Sequence, residues 1–361
     1  MKKNFTLIIA FISLLSFGQD GAPASPYYDG FNWTLSGIPL KDALADKITI
    51  THTNFLVYTP GVWEALRVTD VNPSNTDNVL LIYGWENGSD GDVTNDLQRD
   101  KFNNGGTNGQ WNREHVFPRS LGNPDLGDVG PGADAHMLRS SDVQRNNTRG
   151  NRLFASGTGM QSYSISTNNW FPGDEWKGDI ARIVMYMYLR YGNQCLPIYT
   201  ATGTINSVDA NMVNLLLEWN AADPVSQYED NRNTYHNNTT NDYAQGNRNP
   251  FIDNPYLATV IWGGPAAQNR WPAIFLSSED FVLNNVAVFP NPSKNGEFSI
   301  TTTAELKNIA IYNVNGQLVQ EIKNPNAIEN STYKVNNLAT GFYMLQLQTE
   351  NASVTKKVIV N

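Results

Sequence analysis

Glu114 and His115 stand side by side in a stretch, residues 111–152, that also carries His136, Asn146, Asn151 and the arginines Arg139, Arg145, Arg149 and Arg152. A Glu-His pair alone means little. Beside amides and a run of arginines, it assembles the groups for one kind of chemistry. A carboxylate and an amide oxygen suit a hard divalent ion such as Mg2+, which prefers oxygen ligands and keeps several waters. A neutral imidazole can take a proton from water. Guanidinium groups meet phosphate through two hydrogen bonds at once. Together these groups fit attack by water on a phosphate ester, with a metal ion carrying the charge of the leaving oxygen.

Such groups must be delivered to one place. Residues 111–117 read as a strand that Pro118 ends. Neighbours on a strand point to opposite faces, so Glu114 and His115 would address one centre from two sides. Residues 121–132 contain four Gly and two Pro and read as a loop. Residues 133–138 read as a short returning strand, in which His136 is a hydrogen-bonded structural histidine. Ser140 or Ser141 would cap a helix running to about residue 151. The order is strand, loop, strand, helix. On that helix Asp142, Asn146 and Arg149 would share a face, with Arg145 and Arg152 at neighbouring positions.

The rest of the first 276 residues supplies the support. Lys2 and Lys3 precede an apolar run and small residues at 16–18, so residues 1–19 read as a secretory signal peptide. Residues 40–50 repeat Leu40, Leu44 and Ile48 on one side and predict a helix. Residues 62–71 and 78–85 are rich in β-branched and aromatic side chains and predict strands. Residues 86–109 read as a solvated loop; Asp90, Asp92 and Asp96 lack the spacing of a calcium loop. Helices are expected over 179–191 and 209–220, and a short helix or turn over 255–262. His52 and His236 have no clustered partners and read as structural. The single cysteine, Cys195, excludes an intrachain disulfide and reads as a small buried apolar residue. Composition changes at 277–285, a linker, and residues 286–361 alternate strand and turn, with Asn315-Gly316 as a hairpin signal.

With 40% hydrophobic and 16% charged residues, the chain can fill a core and is not a disordered polyelectrolyte. Its net charge of −9 argues weakly against a polyanion partner. The charge is uneven, however. Residues 20–110 hold five basic and twelve acidic side chains, whereas 111–192 hold nine and eight. The absence of HExxH and the presence of only four histidines argue against a zinc protease. No segment after the signal peptide is long enough to span a membrane.

The segments REHVFPRS (113–120), DAHMLRSSDVQRNNTRGN (134–151), GDIARIVMYMYLRYG (178–192) and RNPFIDNPYLATVIWG (248–263) resemble the bacterial endonuclease I family. The resemblance implies an α+β fold with a ββα-metal (His-Me finger) nuclease core and additional helices over 20–276. It implies a secreted, monomeric endonuclease that cleaves DNA, and RNA too, without sequence specificity, using Mg2+, with Mn2+ or Ca2+ able to substitute in binding. By that resemblance Glu114 would be a metal ligand, His115 the general base and Asn146 the second protein ligand, with Asn151 the alternative; Arg149 matches the family's arginine between those two asparagines, and we infer that it faces the phosphate. Met137 stands where the family commonly has Asn. The module 286–361, through VFPNPSKNGEFSI, IYNVNGQLV and LATGFYMLQL, resembles the C-terminal sorting domain of the type IX secretion system, a small all-β sandwich. That implies export through the periplasm to the surface or the medium, with the type IX machinery as partner. The rival class is a surface-displayed nucleic-acid-binding protein on a nuclease-like scaffold that does not cut.

Overall fold

The computed structural model describes residues 21–275, 286–302, 304–327, 332–349 and 353–361. The expected signal peptide (1–19) and linker (277–285) lie outside the described residues. The chain forms two compact units that divide between Trp271 and Pro272.

The first unit is built around a helix that has no polar side to spare. Helix α4 (Lys177–Tyr191) buries nearly every side chain, including the charged Asp179 and Arg182, so it runs inside the core and its buried charges need partners. Around it run α1 (Gly37–Thr51), α2 (Trp63–Thr69), α3 (Val143–Arg149), α5 (Asn214–Ala222), α6 (Gln227–Asn237), α7 (Pro250–Asp253) and α8 (Tyr256–Trp262). Helix α1 turns Leu40, Leu44 and Ile48 inward at four-residue spacing, as predicted. Among the described residues three small sheets complete the unit: β1 (Val71–Asn72), β2 (Asn75–Leu80) and β3 (Gln98–Asp100); β4 (Trp111–His115) with β5 (Leu138–Asp142); and β6 (Leu153–Phe154), β8 (Asn169–Phe171) and β7 (Tyr163–Ser164).

Several expectations are corrected. Residues 62–71 are mostly α2, because Ala65, Leu66 and Thr69 bury one helical face; β-branched composition loses to that periodicity. The strand expected over 78–85 stops at Leu80, and Tyr83 turns the chain with a φ of 76°. The returning strand is 138–142, not 133–138. Asp134 accepts hydrogen bonds from Tyr186, Tyr191, Gln245 and the His136 amide, which hold 134–137 as a turn away from β4. Ser140 and Ser141 are therefore strand residues, and Asp142 is the cap of α3, its Oδ1 accepting from the Gln144 and Arg145 amides. The helix expected at 209 begins at Asn214. Helix α6 went unpredicted, although Ser226 and Glu229 form a capping box at its start.

Buried ion pairs clamp β5 to the helical body. Arg139 meets Asp179 of α4 at 2.8 Å, Arg182 meets Glu229 of α6 at 2.6 Å, and Arg232 of α6 meets Asp70 while donating to the Ala135 and Leu138 carbonyls. Breaking a buried pair leaves an uncompensated charge and costs about 3–5 kcal/mol.

The second unit contains β9 (Ala287–Lys294), β10 (Glu297–Thr301), β11 (Asn308–Asn313), β12 (Leu318–Lys323), β13 (Thr332–Val335), β14 (Gly341–Gln348) and β15 (Ser353–Val360). They are ordered β12-β11-β14-β15-β9-β10-β13. Alternate residues such as Phe298, Ile300, Ile309, Ile311, Leu345, Leu347, Val358 and Val360 enclose its core. The β11–β12 hairpin turns at Asn315-Gly316 as the dipeptide predicts, with Gly316 at a φ of 75°.

His52, His136 and His236 are buried, and His136 packs against His236 with ring centroids 4.6 Å apart and planes tilted by 51°. Burial lowers the pKa of all three, that of His136 to about 4. The unfolded chain therefore binds more protons than the folded one below the ordinary histidine pKa of about 6.5. The contribution of these groups to stability is complete above that pH and is lost as pH falls through it. Chemical denaturation should show the unfolding free energy dropping by up to ~1.4 kcal/mol per pH unit and per histidine below about pH 6.5. A pH-independent midpoint in that window would mean that these rings are not buried neutral.

Candidate active site

Strands β4 and β5 pair antiparallel, with Glu114 opposite Arg139 and His115 opposite Leu138. Helix α3 follows β5 without a linker, because Asp142 ends the strand and caps the helix. Its second carboxylate oxygen accepts from Arg99 at 2.7 Å. Asp142 is thereby consumed, and the helix face expected to join it with Asn146 and Arg149 does not form. The unit carries a cleft of about 270 Å³ lined by Arg113, Glu114, His115, Pro118, Arg119, Ser120, Asn146, Gly150 and Asn151. Glu114, His115, Asn146 and Asn151 are thus brought together as expected.

Arg149 is not among the lining residues. Its side chain is 1% exposed and turns under the strand. Nη1 lies 3.1 Å from Glu114 Oε1 and donates to the His115 carbonyl at 3.0 Å, and Nη2 donates to the Val116 carbonyl at 2.8 Å. The expected phosphate-facing role does not suit this geometry. Arginine at the buried face of α3 compensates the carboxylate and ties helix to strand.

Glu114 is 2% exposed. Tyr83 donates its hydroxyl to the same Oε1 at 2.8 Å. Desolvation raises the Glu114 pKa to about 7, against the opposing pull of Arg149 and Tyr83. Both contacts fall on Oε1, so Oε2 is the oxygen they leave for another cation. Asn146 donates Nδ2 to Asn112 Oδ1 at 2.8 Å, which leaves its own oxygen as the donor atom toward a metal. Asn151 is exposed and donates weakly to Ser120 Oγ at 3.4 Å. Among the described residues no group of three or more His, Cys, Asp or Glu could hold a metal ion. One carboxylate and one or two amides fit a hard cation that keeps most of its water, and do not fit a zinc site.

His115 lies under Tyr58, ring centroids 5.5 Å apart, and its Nε2 is 3.0 Å from the Gly132 carbonyl. With that carbonyl as acceptor, Nε2 carries the hydrogen and Nδ1 keeps a lone pair. Burial, then the charges of Arg119 and Arg113, lower its pKa to about 4 despite the Gly132 bond, so the ring is neutral near pH 7. The bond depends on a close approach. A Cβ on Gly132 would overlap the Gly127 carbonyl oxygen.

His136 sits apart, buried, with Nε2 3.2 Å from the Asn247 carbonyl, in the structural role expected. Met137 is fully buried. A larger cleft of about 570 Å³ runs along α6, but its charged groups are paired with one another, Arg270 with Asp230 and Arg248 with Asp253. Tyr58, Tyr83, Asn112 and Gly132 escaped the sequence reading. Only Gly132 left a signal there, as part of a glycine-rich loop.

Comparison with known proteins places the chain in a family. Residues 36–256 match the family model of Endonuclease I, and residues 287–361 match that of a secretion-system C-terminal sorting domain. The first match defines a nuclease, a phosphodiester hydrolase. The chain belongs to the Endonuclease I family. It is 41% identical over 237 residues to an extracellular ribonuclease of Bacillus amyloliquefaciens, covering 63% of this chain and 75% of that one. It is 40% identical over 264 residues to an extracellular ribonuclease of Bacillus subtilis (strain 168), covering 69% and 84%.

Gly132→Ala should move the carbonyl that orients His115. Steady-state kinetics should show kcat falling by about 100-fold, the scale of a 1 Å misplacement, with KM little changed. An unchanged kcat would show that the Gly132 carbonyl does not position the imidazole. Tyr83→Phe removes a donor from buried Glu114 and should cost ~1–3 kcal/mol of stability in chemical denaturation.

Proposed function

We propose that this protein is a secreted or cell-surface endonuclease that hydrolyses phosphodiester bonds of DNA and RNA without sequence preference, with Mg2+ as its cofactor. The observation that carries the reading is a neutral histidine, oriented by a backbone carbonyl, sharing one cleft with a buried carboxylate and an amide. In this reading β4, β5 and α3 are a ββα-metal core. Glu114 and Asn146 hold the cation, with Asn151 as the alternative to Asn146. The bound ion supplies charge stabilisation to the phosphate and its leaving oxygen.

His115 Nδ1 accepts a proton from water as that water's oxygen attacks phosphorus. The phosphorus–oxygen bond to the leaving group breaks, and the leaving oxygen is protonated from solvent. Gly132 holds the ring in the tautomer this step needs. Arg149 and Tyr83 keep the Glu114 carboxylate in place. The groups gathered in the cleft suit contacts to phosphate, which carry no sequence information, and this supports indiscriminate cutting. The extracellular ribonuclease relatives support RNA as a substrate and an extracellular site of action. The sorting-domain match supports export by the type IX machinery, and no helix among the described residues is long and apolar enough to cross a membrane.

Plasmid DNA and a long RNA incubated with the protein should be cut with Mg2+ and left intact with EDTA. His115→Ala should lower the rate by about 10²–10⁴-fold, the usual worth of a general base, with its denaturation curve preserved. Folded wild-type protein that shifts nucleic acid in a gel yet cuts neither substrate would replace this reading with a binding protein.

A further inference from the structure

A phosphate entering this cleft needs a cation free to turn toward it, and Arg149 is committed beneath the floor. Two arginines line the cleft itself, Arg113 and Arg119. Arg113 is also committed. Its guanidinium lies 3.5 Å from the Tyr58 ring centroid and 4.3 Å from that of Trp63, and it donates to the Tyr58 carbonyl and, at 2.9 Å, to Thr59 Oγ1. It acts as a strut between β4 and the 58–63 segment.

Arg119 differs. Its side chain is 40% exposed, and its Nη1 lies 2.8 Å from Oδ1 of Asp128, which is 64% exposed. An exposed ion pair is weak, so a phosphate oxygen can take the place of the carboxylate at little cost. The short helical turn Arg119–Leu121 follows Pro118 directly and places Arg119 four residues beyond His115, on the lip of the same cleft. Asp128 belongs to the loop whose Gly132 carbonyl orients His115, and the Gly127 backbone packs against Gly132.

We propose that Arg119 is the phosphate-positioning residue of this cleft and that Asp128 is its resting counter-ion, exchanged for a phosphate oxygen when nucleic acid enters. The inference rests on the nuclease reading above and adds to it the group that seats the substrate. The planar fork of Arg119 offers two parallel hydrogen bonds to phosphate beside the imidazole. The exchange makes and breaks no covalent bond. Without Asp128 the guanidinium would face incoming phosphate unopposed.

The test is steady-state cleavage of a fluorophore-labelled double-stranded DNA, repeated with RNA of the same sequence, by the full-length protein with Mg2+. The variants are Arg119→Gln, Arg119→Lys, Asp128→Asn and the Arg119→Gln/Asp128→Asn double. Arg119→Gln should lower kcat/KM by about 100-fold. Arg119→Lys should recover part of that, because it keeps the charge and loses the fork. Asp128→Asn should lower KM by about threefold and have no effect once Arg119 is Gln. A general folding defect would produce neither the rescue nor this dependence on Arg119. Cleavage by Arg119→Gln within about twofold of wild type overturns the inference and leaves the nuclease reading standing. So does an Asp128→Asn effect of equal size in both backgrounds. Folded wild-type protein that cuts neither substrate overturns both.

Discussion

A buried carboxylate is the constraint around which the site is built. Glu114 loses almost all of its water, and an isolated charge in that position would neutralise itself by holding its proton. Arg149 and Tyr83 offset part of that loss, and burial still lifts its pKa to about 7. The carboxylate is left short of positive charge on the side facing the cleft. In the proposed reading a divalent cation would satisfy that need, and the cost of burying the carboxylate would become affinity for the ion.

The need for Arg149 explains the order of the local elements. The arginine must come from beneath the strand, so α3 must pack closely against β4. That is achieved by letting β5 run directly into α3 through Asp142, which ends one element and caps the next. Arg149 then also ties the His115 and Val116 carbonyls where β4 ends. The ion pairs of Arg139, Arg182 and Arg232 hold β5 against α4 and α6 from behind. The histidine is served differently. Its environment is a glycine-rich loop that brings one carbonyl to one ring nitrogen, and its neutrality follows from burial and from nearby arginines.

The cleft thus separates two uses of arginine. Buried arginines are structural, because each is fixed by carbonyls or carboxylates it cannot leave. An exposed arginine with an exposed partner remains exchangeable. Residue type and spacing do not distinguish these cases. Arg145, Arg149 and Arg152 looked alike as a helical stripe, whereas only burial shows that Arg149 points inward.

The sequence by itself determined the division into a mixed helical and sheet unit and a C-terminal β module. It also located the cluster of Glu114, His115 and Asn146, since those depend on residue types close together in the chain and on short-range periodicity. It announced α1 and α4 through apolar repeats, and the 315–316 hairpin through its turn residues. Only the tertiary structure decided the register of β5, the direction of Arg149, and the partners Tyr83, Tyr58 and Gly132. Asp134 keeps 134–137 off the strand by binding Tyr186, Tyr191 and Gln245, which lie some fifty to more than a hundred residues away. No local pattern encodes such a partner, and burial, which sets both the pKa of His115 and the inward turn of Arg149, is a property of the packed chain.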